Sequence, residues 1–161
     1  MNMKTRLQHT GIALVEMLVA VTILLLMLAA IAFSITGYVD VRKELINETK
    51  ATYLANDGYE ILRAIRDTNW NTLKNLTIGT TYYLSVSTTT LAVSNTPEII
   101  NSSFRRSFVV QSLYRDSNDD IVSSSTPGAL SDTNSRELRV SVAGPTGTTS
   151  LSAILTNIQG L

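Results

Sequence analysis

Glu16 is the one charged residue in an apolar stretch that reads Ile12-Ala-Leu-Val-Glu16-Met-Leu-Val-Ala-Val-Thr-Ile-Leu-Leu-Leu-Met-Leu-Ala-Ala-Ile-Ala-Phe-Ser-Ile-Thr-Gly-Tyr38. A carboxylate at the centre of a membrane helix costs about 2–3 kcal/mol on insertion scales, and less near an end. Its position calls for a cationic partner. Cleavage of the chain after Gly11 would create one, the α-amino group of Ile12. Ile12 and Glu16 are four apart and share a helix face, so the carboxylate would meet its own amine or that of a neighbouring copy. The helix macrodipole explains why an acid is tolerated in a first turn, but not why it lies past the start of an apolar run.

The remaining candidate chemistry is sparse. Asp116-Ser-Asn118-Asp-Asp120 bunches oxygen ligands that suit Ca²⁺, but it lacks the glycine and distal glutamate of an EF-hand loop. A solvated acidic turn between strands accounts for the same residues, and no metal is expected. Arg105, Arg106, Arg115, Arg136 and Arg139 fall on or beside predicted strands, as ordinary arginines of a wet face. Arg105 and Arg139 would join any basic patch for DNA or an anionic glycan. From Ile12 onward, however, 11 basic residues stand against 13 acidic ones, so nucleic acid is not an expected partner. There is no cysteine, and the only histidine is His9, which removes thiolate and histidine-metal chemistry. No Gly-x-Ser-x-Gly or phosphate loop is present. The chain reads as a non-enzyme without a cofactor.

The 161 residues suffice for one globular domain. Met1–Gly11 is short and polar, with Lys4 and Arg6. The 27 residues Ile12–Tyr38 would span about 40 Å as a helix, more than the hydrocarbon core of a bilayer. By the positive-inside rule the N-terminus is cytoplasmic and the body lies outside. Three readings are open. One is a secretory signal peptide cut after Ala30-Ile31-Ala32, leaving Phe33 first; one is an uncleaved anchor; one is a leader cut after Gly11. Glu16 favours the third, because neither a signal peptide nor a plain anchor gains anything from a carboxylate.

The segment His9-Thr10-Gly11-Ile12-Ala-Leu-Val-Glu16-Met-Leu-Val-Ala-Val-Thr-Ile-Leu resembles the class III leader and first helix of bacterial type IV pilins and type II secretion pseudopilins. The resemblance covers about a tenth of the chain. It implies leader cleavage after Gly11, N-methylation of the new N-terminal Ile12, and an assembly role for Glu16. It also implies partners: identical or homologous pilins in a helical filament, a prepilin peptidase, an assembly ATPase and a membrane platform. The subunit would wait in the cytoplasmic membrane as a single-pass pool and then enter an extracellular or periplasmic filament. The chain departs from the common pattern in having Ile12 where Phe is usual, His9-Thr10 rather than a basic pair, and no proline in the apolar stretch. These departures suit a minor subunit. The segment Tyr53–Trp70 is similar to the end of the long helix in pilin-like proteins of small-genome bacteria.

Helical spacing continues beyond Tyr38. Leu54, Gly58, Ile61, Leu62 and Ile65 form a stripe, extended by Val41, Leu45 and Tyr53, to a stop at Asp67-Thr68-Asn69. One helix from Ile12 to about Arg66 would be roughly 80 Å long. Gly58 permits close approach to a sheet, and Trp70 closes over the helix end. Period-two patterns then predict strands at Thr81–Val86, Phe104–Tyr114, Glu137–Ala143 and Thr149–Thr156, with a short one at Leu91–Val93. Gly144-Pro-Thr-Gly147 predicts a tight turn, so the last two strands should form a hairpin. Asn95–Pro97 and Ser117–Asp132 read as loops.

The expected fold class is α+β and pilin-like. One long N-terminal helix, apolar then amphipathic, packs on an antiparallel β-sheet of about four strands. The expected divisions are a leader at 1–11, a transmembrane or filament-core helix at 12–38, an amphipathic helix at 39–70 and an extracytoplasmic sheet domain at 71–161. The function this implies is a structural subunit of a type IV pilus or pseudopilus. The alternatives are a minor tip subunit that adheres or initiates assembly, and a membrane-anchored or secreted β-domain unrelated to pili.

Overall fold

The computed structural model describes residues 3–87 and 90–158, with side chains from Ile12 onward. The chain forms two compact units, Met1–Glu44 and Leu45–Leu161. Helix α1 (Met3–Thr68) begins in the first and ends in the second.

In the first unit every side chain from Ile12 to Glu44 is exposed, including Leu14, Met17 and Phe33. Burying such a surface away from water is favourable. The helix starting at Ile12 is long and apolar enough to cross a membrane. It contains no proline, and the backbone of a helix satisfies its own hydrogen bonds, as a bilayer demands. The hydroxyls of Thr22 and Thr36 donate back to carbonyls of the preceding turn.

In the second unit the helix lies on an antiparallel sheet. Ala51, Ala55, Leu62 and Ile65 are buried against Phe108, Val110, Leu138, Val140 and Val142, and Gly58 lies in the same row. The spacing of four and three keeps these residues on one face. This row differs from the predicted stripe. Leu54 and Ile61 flank it half-buried, while Val41, Leu45 and Tyr53 are exposed. Small residues at 51, 55 and 58 bring the helix backbone close to the strands, and this proximity selects the face. An ideal Cβ at Gly58 would lie 2.8 Å from Arg106 Cδ and 3.0 Å from Val140 Cγ1. After Thr68, Asn69 caps a short helix α2 (Trp70–Lys74) by accepting from the Asn71 amide. Trp70 and Leu73 bury themselves in the core, so Trp70 does close the end of α1.

The strands are β1 (Thr81–Val86), β2 (Leu91–Ser94), β3 (Glu98–Ile100), β4 (Phe104–Arg115), β5 (Ile121–Val122), β6 (Leu130–Gly144) and β7 (Gly147–Thr156). Their order is β2-β1-β4-β6-β7, with β3 and β5 pairing the two ends of β4, and every pairing is antiparallel. The four predicted strands and the short fifth are present. The β6–β7 hairpin closes through Pro145-Thr146, with Gly144 opposite Gly147. Gly147 has a φ of 139°, which only glycine adopts readily.

The sheet has seven strands rather than about four. Part of the predicted Ser117–Asp132 loop is β5 and the start of β6, and Glu98–Ile100 is β3. Two or three residues carry no visible period, and these segments become strands only because β4 is long enough to pair them at its ends. In β6 the register jumps opposite Ser112/Leu113, so that Thr133–Ser135 bulge out.

Gly58→Ala tests the close seat of the helix. Alanine favours an exposed helix by about 1 kcal/mol, but overpacking costs about 1–3 kcal/mol. Because Arg106 is pinned, the expected result is a net loss of about 1–2 kcal/mol in denaturant unfolding of the detergent-solubilised chain.

Candidate functional site

Two places in the described residues gather groups of functional interest, the Ile12–Glu16 end of the apolar stretch and the charged side chains of the sheet.

Ile12 is 66% exposed and Glu16 is exposed on the same helix face. A threonine in a helix can donate to a carbonyl one turn back, but a carboxylate only accepts, and the amides around it are committed to the helix. Glu16 therefore finds no donor in the surrounding turns of its own helix among the described residues. Among the described residues no basic side chain pairs with it. The leader Met1–Gly11, and with it the cleavage position Gly11, lies outside the residues whose side chains are described.

In the sheet, Arg106 is not on a wet face. It is 2% exposed, on the side of β4 that faces α1. Its Nε and Nη2 donate to Oε2 and Oε1 of Glu98, both at 2.8 Å, in a bidentate pair. Its Nη1 donates to Asp57 Oδ2 at 2.6 Å and to the Leu54 carbonyl at 3.1 Å. Burial works against the guanidinium charge, but its hydrogen bonds to Glu98 and Asp57 and their negative charges outweigh it and raise the pKa. One side chain thus ties α1, β3 and β4 together. The signal was in the sequence: Arg106 is in phase with Phe104, Phe108 and Val110, which the period-two pattern already placed on the core side.

Arg136 is also buried rather than wet, and its Nη1 donates to the carbonyls of Asp132 and Ser135 across the β6 bulge. Arg115 donates from Nε to Asp132 Oδ2 at 2.8 Å and from Nη1 to the Asp119 carbonyl. Burial pushes the Asp132 carboxyl up. Hydrogen bonds from Arg115, Ser135 and the Asn134 amide outweigh this and hold it below the usual carboxylate range. Arg105 and Arg139 are exposed on the outer face, as expected, with Arg139 opposite Val109 and reaching Ser152 Oγ.

The Asp116–Asp120 segment is the β4–β5 turn. Asp116 Oδ1 accepts from the amides of Asn118 and Asp120, and Asp119 adopts a φ of 67°. The Asp116 carboxylate serves the backbone of its own loop. Among the described residues, no group of three His, Cys, Asp or Glu side chains is placed to hold a metal ion. Compared with known proteins, the chain matches no family model, no curated protein and no solved structure.

Two predictions follow from the charged clusters. Arg106→Met strands the Glu98 carboxylate and should cost about 3–5 kcal/mol, whereas Arg106→Met with Glu98→Leu should recover much of that loss in a double-mutant cycle. Asp132 has a folded pKa below its unfolded value of about 3.9. Its contribution is present above that pH and is lost as pH falls through the folded value. Asp132→Asn should therefore lower stability at neutral pH and flatten the loss of stability below about pH 4, measured by denaturant titration across pH.

Proposed function

We propose that the chain is a structural subunit of a type IV pilus or pilus-like secretion filament. It is cut after Gly11, N-methylated at Ile12, held in the cytoplasmic membrane by its apolar helix, and drawn from there into the filament. The carrying observation is a lone acceptor-only carboxylate, Glu16, one helical turn after Ile12 in an exposed apolar segment. An N-terminal amine freed by cleavage supplies the donor that the helix itself lacks. In a low-dielectric surrounding an unpaired carboxylate is costly, so pairing with a neighbour's amine gives register as well as attraction. The exposed apolar helix has lipid as its cover before assembly and other helices after it. Repeated head-to-tail contact makes an open helix of subunits. The peptidase, ATPase and platform are separate proteins, and this chain carries no chemistry of its own.

Ile12 and the proline-free apolar stretch also suit a second reading, a minor subunit at the tip. Abundance in sheared filaments separates the two. A domain exported by a signal peptide would instead begin at Phe33.

Glu16→Val should insert in the membrane and be cleaved normally, but yield few filaments. Gly11→Glu should retain the leader. N-terminal sequencing and intact mass of the native protein should give methylated Ile12 as the first residue. Normal filament yield from Glu16→Val would contradict the proposed pairing.

A further inference from the structure

Among the described residues the sheet is open at β2 and at β7, and neither edge is guarded by charge. Natural sheets protect exposed edges with lysines, prolines or inward charges, because unpaired amides and carbonyls recruit other strands. Here no charged residue occurs between Lys74 and Glu98, and none after Arg139. All the charges of the sheet sit on β3, β4 and β6 and in the β4–β5 turn, while β1, β2 and β7 have none. β7 (Gly147–Thr156) is long, uncharged, free of proline and paired on one side only, without a break in register. Beside β2 lies a cleft of about 570 Å³, lined by Leu91 and Val93 of the edge and by Ile65, Thr68 and Thr72 of the helices. It too is uncharged.

We infer that the β7 edge of one copy pairs with the β2 edge of the next, continuing the sheet from subunit to subunit. Four antiparallel steps separate β2 from β7, so the two edges run in the same direction. A second copy in the same orientation therefore presents β7 parallel to β2, and the contact is heterologous and repeatable. A two-fold pairing of β7 with β7 is the competing arrangement. Its axis would stand normal to the sheet and reverse the α1 segment that lies on it, so two copies drawn from one membrane would point oppositely. The choice of the same-direction pairing rests on the filament reading above; the exposed, uncharged edges do not. The contact is short, because β2 has four residues, and it acts as one of several within an assembly.

The absence of cysteine makes the test clean. Ala92 lies on the outer face, next to Val93, which pairs with buried Leu84. Thr148, Ser150 and Ile154 are exposed on the outer face of β7. Ala92→Cys would be combined in turn with Thr148→Cys, Ser150→Cys or Ile154→Cys in the full-length chain. After mild oxidation in cells and in sheared filaments, non-reducing gels would be read. The expected result is a ladder of multimers for at least one pair, with none for any single cysteine. A lysine added to that pair on the outer face of β7, Ser150→Lys or, for the Ser150→Cys pair, Thr148→Lys, should abolish the ladder without lowering the melting temperature. Dimers from a β7 cysteine alone would overturn the proposal in favour of two-fold pairing. Absence of multimers from every pair would also overturn it, and if filaments still form, the filament reading survives that result. A ladder from a chain that does not begin at Ile12 would support the edge contact and reject the filament reading.

Discussion

The second unit depends on how closely the helix approaches the sheet. Ala51, Ala55 and Gly58 leave almost no side-chain volume on the contacting face ahead of Leu62 and Ile65. The backbone then comes near enough for Arg106, rooted in β4, to reach a helix carbonyl and the Asp57 carboxylate while still holding Glu98. A bulkier row would lift the helix and leave a guanidinium in the core with half its partners. Apolar packing and the ion cluster are therefore coupled: each is feasible only at the separation the other requires.

The distribution of charge follows a different rule from that of many sheets. The central strands carry it, either buried and paired as in Arg106 or shared across the β6 bulge as in Arg115 and Asp132. The outer strands carry none. The apolar stretch Ile12–Tyr38 of the first unit likewise carries one carboxylate.

Much of this was legible in the sequence. The helix, its end near Thr68, the five periodic strands and the Pro145-Thr146 turn all announce themselves through period and turn chemistry. The short strands β3 and β5 do not, because two or three residues have no period and take their conformation from β4. The helix stripe of Gly58, Leu62 and Ile65 is legible too, but toward the N-terminus the buried face is carried on by Ala51 and Ala55 rather than by Tyr53, Leu45 and Val41, since hydrophobicity alone does not report how closely a backbone must approach. Residue type alone puts Arg106 on the wet face, whereas its phase with Phe104 and Phe108 points inward.

By itself the sequence determined an apolar helix of membrane length, a lone acid four residues beyond Ile12, and the alternation that makes an antiparallel sheet, because these are local patterns set by backbone geometry. Only the tertiary structure decided which arginines are buried, which strands form the edges, and that Asp57 and Glu98 meet on one guanidinium. Arg106 joins Asp57 across 49 residues of chain, and no local periodicity encodes a contact at that separation. It arises when the core closes and a buried cation must find its anions there.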